Sequence, residues 1–371
     1  PLPSLRRGGD EPTHKRGTAV TLEQQLDRFR PTERREALRQ LASPTAGRQV
    51  AGTSGGNVNM HFHSFFSYNA EGWSPTRVAW EARRAGLYAA GLCDFDVLDG
   101  MEEFLEAGLL LGLRATVNLE TRAYLKDYAE LDISSPGEPG VAYMMGAGFA
   151  RALAAGTEGA KGLAGYRARA RSRNVALIQR INAVLTDIAI DYEKDVVPLT
   201  PAGGATERHI ISAYLNKIKR VNVTPQDAAR YLAKLLKKEV DEAVVLLADT
   251  PTLEEHIRSK LAKKGGIGYE QPSSETFPPV EEFIAWVKAC EAIPMLAWLD
   301  GTSKGEKDPC ALLECVKAKG AVALNIIPDR NWNIKDPAAR ATKVANLQAM
   351  VAAADALSMP INIGTEMNKL G

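Results

Sequence analysis

Two histidines stand one residue apart in His61-Phe62-His63. In an extended segment side chains alternate, so residues i and i+2 share a face. Two imidazoles on one face at a strand end can hold one divalent cation. Two partly buried histidines, one of them hydrogen-bonded, give the same pattern, so the pair alone leaves both readings open. Three carboxylates sharpen the choice. Asp94, Glu120 and Glu366 each follow a short apolar run, and acids are seldom buried without a partner. Acids after a strand also cap the next helix. That alternative weighs as much as the cation for Asp94 and less for Glu120 and Glu366.

The elements that position these residues alternate. Residues 58–62, 87–93, 114–119, 294–299, 321–327 and 360–364 read as six strands, each apolar enough to be buried on both faces. Ser74-Pro75 opens a helix, with Ser as cap and Pro at its first position. Further helices are predicted over 99–112, 279–292, 309–319 and 337–357. This is β-α-β spacing, the signature of a parallel sheet. In parallel α/β barrels the site forms at the C-terminal strand ends, where His61, His63, Asp94, Glu120 and Glu366 all fall.

Residues 125–265 read as almost wholly helical, with apolar residues at helical spacing from Val175 to Ile188 and a Thr224-Pro225 cap. The expected organisation is an N-terminal tail and helix over 1–56, a first barrel part over 57–124, a helical insertion over 125–265 and a second barrel part over 266–371.

Composition narrows the function classes. The 371 residues are 45% hydrophobic and 25% charged, with a net charge of +1. So balanced a chain gives no support to nucleic-acid binding through a general field. No run reaches the roughly 18 apolar residues of a membrane span. Cys93, Cys290, Cys310 and Cys315 form no Cys-x-x-Cys pair, which fits a reduced, cytoplasmic protein with buried thiols. Residues 1–16 are basic, with no apolar segment behind them, and are not read as a signal peptide. The chain opens at Pro1 rather than Met and stops at Gly371, which leaves room for sequence beyond either end.

The motifs together resemble a known family. His61-Phe-His-Ser-Phe-Phe-Ser-Tyr-Asn69, followed by Ser74-Pro75, resembles the first motif of the PHP (polymerase and histidinol phosphatase) family. Cys93-Asp-Phe-Asp-Val-Leu-Asp-Gly100 is similar to the second, usually Thr-Asp-His-Asp-x-x-x-Gly. Asn118-Leu-Glu120 is similar to the third, usually Gly-x-Glu. Gly364-Thr-Glu-Met-Asn368 stands where the family has Gly-Ser-Asp-Ala-His. The resemblance covers about residues 57–371 and is more specific in motif order than in motif content.

The resemblance implies an α/β fold, a distorted (β/α)7-type barrel with an inserted helical subdomain. It implies a first metal held by His61, His63, Glu120 and Glu366, the last replacing an Asp. Glu120 would bridge to a second metal, and His209, in Thr206-Glu-Arg-His209, matches one of that metal's histidines. Phe95, Trp298 and Asn368 replace family histidines, which points to one or two ions, Zn²⁺ or Mn²⁺, rather than three. Asp94 or His209 is the expected general base where not a ligand.

Arg122, Lys304 and Arg330 follow strands and could clamp a phosphate or carboxylate, or be ordinary solvated loop charges. The expected activity is a metal-dependent hydrolase, a phosphoesterase acting on a small phosphorylated molecule by metal-activated water. The alternatives are a catalytically degenerate metal- or ligand-binding protein and a hydrolase of non-phosphate ester or amide bonds. The expected partner is a small anionic substrate, with neither nucleic acid nor membrane.

Overall fold

The computed structural model describes residues 20–43 and 56–367. Its centre is one seven-stranded sheet whose order follows the sequence. The strands are β1 (Val58–Phe62), β2 (Ala89–Phe95), β3 (Arg114–Tyr124), β4 (Val141–Ala147), β5 (Ile293–Ala297), β6 (Ala323–Ile326) and β7 (Ile361–Ile363). β1–β2–β3 and β5–β6–β7 pair in parallel. β4 is antiparallel to both β3 and β5. The sheet curls into a distorted α/β barrel, as the motifs implied. Cys93, Met145, Met295, Ala297 and Ala323 fill its interior, small or pliable side chains that suit a narrow lumen.

The barrel closes where the segment after β7 lies on β1. The Glu366 backbone N–H donates to the His61 carbonyl at 2.9 Å, and the Asn59 amide donates to the Thr365 hydroxyl at 2.6 Å. A glycine permits this approach. A Cβ on Gly364 would stand 2.1 Å from the His61 Cβ and 2.6 Å from its backbone nitrogen, with no flexible neighbour to give way. Gly364→Ala should therefore cost about 1–3 kcal/mol of stability, the usual range for overpacking. Chemical denaturation would measure it, and a midpoint equal to wild type would show that the contact is not tight.

β4 lies inside the stretch that reads as helical, so 125–265 is not wholly helical. The sequence Val-Ala-Tyr-Met-Met-Gly-Ala carries one β-branched residue, and Ala and Met favour helix by intrinsic propensity. Pairing on both edges overrides that preference. Two glycines mark the ends, Gly140 at φ 78° and Gly148 at φ 84°, and this punctuation is the signal the sequence does offer.

Beyond β4 the stretch is helical. The helix Glu158–Val184 leads into Glu207–Val221, Pro225–Leu236, Val240–Ala248 and Thr250–Leu261. Ile181, Tyr214, Ile218, Leu232 and Leu253 form their own core, separate from the barrel core of Trp80, Phe104, Phe283 and Trp298.

Other boundaries fall close to the sequence reading. Ser74 caps Pro75–Arg84 by accepting from the Arg77 N–H. The N-terminal segment holds two helices, Leu22–Gln25 and Pro31–Ala42, the second opened by Pro31. The four cysteines are free, but Cys310 is exposed rather than buried. No described helix is long and apolar enough to cross a membrane.

Candidate functional site

β1 presents Asn59 and His61 inward, and His63 follows one residue beyond the strand end. The β1–β2 register shifts between Asn59 and Phe62. There the Asn59 side-chain oxygen accepts from the His61 N–H at 3.2 Å, and such irregularities re-aim side chains. Glu120 on β3 faces both rings. Its Oε2 lies 3.5 Å from His61 Nε2 and 3.6 Å from His63 Nε2. The ligand atoms of these three buried residues all lie within 4.8 Å of one another.

Hydrogen bonding does not account for this convergence. His61 Nε2, both His63 ring nitrogens and Glu120 Oε2 are buried without a hydrogen-bond partner. Orphaned buried polar atoms are costly, so one such atom from each of three converging residues calls for a shared partner. Two imidazoles and a carboxylate are a donor set that fits a divalent cation.

Local electrostatics fit the same partner. Burial, then the charge of His61, pushes His63 down to about 3, so its ring is neutral and its lone pair free. Burial opposes charge on His61 too, but Cys93 and Glu120 carry its pKa well above the ordinary value. A cation there would take the place of that proton. Asn325 on β6 reaches His61 Nδ1 at 3.2 Å and is itself held by Asn362. Phe95 stacks on His63, ring centroids 4.6 Å apart. This phenyl fixes the imidazole and offers no ligand. Trp298 is buried at the end of β5, and Asn368 lies outside the described residues.

The other predicted residues separate into groups. Glu366 is buried, and its carboxylate pairs with Arg330 at 2.7 Å. Burial favours its neutral form, but Arg330 and the two imidazoles outweigh that and hold its pKa down. It does not belong to the tight trio. Its backbone sits at φ 65°, a left-handed conformation that costs a non-glycine residue about 1–3 kcal/mol and clusters at functional sites.

Asp94 has both carboxylate oxygens engaged. It accepts from the Ser64 N–H, the Ser64 hydroxyl and the Ser67 hydroxyl, each at 2.7 Å. Burial still raises it to about 6. It pins the loop that follows His63. His209 is not gathered with the trio either. Its Nδ1 accepts from the Thr206 N–H at 3.0 Å in a capping box, and burial lowers it to about 4. Lys304 is exposed in a short turn and does not line the cavity described next.

Arg122 and Arg330 do line it. This cavity of about 250 Å³ borders Phe95 and Glu366 and has helical residues for its far wall. Seven arginines (122, 167, 171, 173, 208, 258 and 330) line it against four acids, Asp96, Glu207, Glu255 and Glu366. Sequence reasoning missed five of these guanidiniums. Arg167 and Arg171, four residues apart on one helix, were the available signal. Arg208 and Arg258 lie on different helices of the segment over 125–265, and nothing in their spacing joins them.

Arg122 anchors the network. It bonds both Glu138 carboxylate oxygens at 2.8 Å, lies 4.0 Å from Glu207, and sits 5.0 Å from the Phe277 ring centroid. Arg173 is less well matched. Its nearest acid, Asp96, is 4.0 Å away and its Nε has no partner. Burial, then repulsion from Arg122, lowers it to about 10. An anion would relieve both penalties.

Glu138 links this network to stability. Burial alone would raise its carboxyl, but Arg122 and Lys263 outweigh that and hold it at about 2, against an ordinary 4.5. A depressed carboxyl contributes stability that is full above its unfolded pKa and is lost as pH falls through its folded one. Stability should therefore fall between pH 4.5 and about 2, and Glu138→Gln should flatten that slope. Urea melts across the window would test this. An unchanged slope in the variant would assign the acid sensitivity to other groups.

No protein-family model matches the chain, and no curated protein matches its sequence. Solved structures do match by fold. One, from Bifidobacterium adolescentis, is provisionally assigned as a metal-dependent phosphoesterase. It superposes with a TM-score of 0.54 at 17% identity, covering 84% of this chain and 87% of that one. Another is an amidohydrolase from Chromobacterium violaceum, solved with bound sulfate and no metal. It gives a TM-score of 0.55 at 15% identity, over 85% of this chain and 88% of that one. At such identities the likeness establishes a shared fold, a barrel that carries metal-dependent phosphoesterase and amidohydrolase assignments in the proteins it resembles.

Proposed function

We propose that this protein is a metal-dependent hydrolase of the PHP type that acts on a small phosphorylated substrate. One observation carries the reading: buried, unsatisfied His61, His63 and Glu120 atoms converge beside a cavity crowded with guanidiniums. The two fold neighbours, assigned as a metal-dependent phosphoesterase and an amidohydrolase, support the reaction class.

His61, His63 and Glu120 would hold the cation, with Glu366 at its edge. Bound there, it would supply Lewis-acid polarisation and a more acidic water. The remaining work falls to the chain. Arg330 fixes the Glu366 carboxylate. Arg122, Arg173 and Arg258 offer planar donors suited to phosphate oxygens. Phe95 keeps the His63 ring in place.

The test is metal content after reconstitution with Zn²⁺ or Mn²⁺, followed by a panel of phosphate monoesters, carboxylic esters and amides. Stoichiometric metal with phosphate release is the expected result. Metal with amide or carboxylic ester turnover alone would replace the phosphoesterase reading. Neither metal nor turnover would leave a ligand-binding protein.

A further inference from the structure

Tyr143 stands on β4, opposite Arg122 of β3 and Ala297 of β5. Its ring packs on the barrel's inner cluster and lines the cavity. It lies 5.9 Å from the Phe95 ring that stacks on His63. Two residues along β4, Met145 pairs with Glu120 itself. The phenol is therefore one layer above the candidate metal ligands, on the cavity side. Its hydroxyl makes no hydrogen bond to any described residue. Arg122 is its cross-strand neighbour, and Arg258 and Arg330 line the same cavity.

A hydrolysis that expels an alkoxide needs a proton donor at the leaving oxygen. Among the described residues no histidine or lysine lines the cavity. Glu207 is paired with Arg258 and Lys263, Glu255 with Arg208 and Arg258, and Glu366 with Arg330. Asp96 is engaged by the Thr121 hydroxyl and faces Arg173. Three tyrosines remain. Tyr68, in the loop after β1, lies under Arg208 and against the His209 ring, and Tyr192, on the helical wall, lies under Arg171. Tyr143 alone of the three stands on a barrel strand, across from Arg122 of β3.

We propose that Tyr143 is a catalytic residue, the acid that protonates the leaving-group oxygen. This rests on the phosphoesterase reading above. Water attacks phosphorus and sheds one proton to solvent. The bond between phosphorus and the leaving oxygen breaks, that oxygen keeps the electron pair, and it takes the Tyr143 proton to depart as a neutral alcohol. The phenolate faces Arg122, Arg258 and Arg330 until solvent returns a proton.

The test compares Tyr143→Phe with wild type, both loaded with Mn²⁺, on two substrates. Glycerol 2-phosphate leaves as an alkoxide and needs the proton. p-Nitrophenyl phosphate leaves as a stable phenolate and does not. The variant should lose about 10²-fold or more in kcat on the alkyl ester, the typical worth of a general acid. On the aryl ester it should change less than about threefold, well below that worth. Metal content and the calorimetric affinity for inorganic phosphate should match wild type, which separates proton donation from anion binding or misfolding. An equal loss on both esters, or no loss on either, overturns the role of Tyr143 and leaves the hydrolase reading intact. Wild-type protein inert on both esters overturns both.

Discussion

Glu120→Gln should lose bound metal and, with it, hydrolysis. Disturbing residues that merely support a metal ligand costs about 10–100-fold in affinity or activity, so loss of a ligand should cost at least about 100-fold. Glu120 would carry the charge that balances the cation, and its Oε2 lies 3.5 and 3.6 Å from the two imidazole Nε2 atoms. An amide oxygen keeps the shape and loses the charge. Stability in chelator should respond differently. Burial disfavours the ionised Glu120 carboxyl and raises its pKa, so a neutral amide should fold as well as wild type or slightly better. Elemental analysis and melts in chelator measure the two arms. Full metal occupancy in the variant would remove Glu120 from the ligand set, and a collapse in chelator would make its role structural.

Arg122→Ala should damage folding and anion binding together. Its guanidinium is mostly buried against Glu138 and near Glu207. Removing one partner of a buried pair costs about 3–5 kcal/mol, because the other charge is left unmatched. Lys263 and Arg258 still reach those acids, so a loss of about 3 kcal/mol, the low end of that range, is expected. Arg122→Ala with Glu138→Gln should recover part of it, a coupling a double-mutant cycle would read. Inorganic phosphate should bind more weakly to either Arg122 variant. If Arg122→Ala unfolds at the wild-type urea midpoint, the Glu138 pair is not a stabilising one.

These two residues also show how far the sequence reaches. His61, His63, Glu120 and Arg122 are legible because a strand's period is fixed. Residues two apart share a face, and strand ends in an alternating α/β chain share a rim. The helix starts at Pro75 and Pro225 were equally legible, since Ser or Thr followed by Pro fixes a cap locally. Asp94 and His209 show the limit. Residue type and motif position pointed to chemistry, but not to the hydrogen bonds from Ser64, Ser67 and Thr206 that hold the Asp94 carboxylate and His209 Nδ1. Such partners depend on loop paths that no local pattern encodes.

The sequence by itself determined the alternating α/β class, most strand positions and the strand-end places of His61, His63 and Glu120. Each follows from periodicity and short-range geometry along one segment. Only the tertiary structure decided that β4 is a strand, that Tyr143 enters the cavity and that seven arginines from distant segments meet there. β4 gains its hydrogen bonds from β3 and β5, more than a hundred residues apart in the chain, and such pairing energy overrules the helical leaning of Ala and Met. The arginines converge because the helical segment packs its own core and turns one polar face to the barrel mouth. That is a property of the assembled layers rather than of any single run of residues.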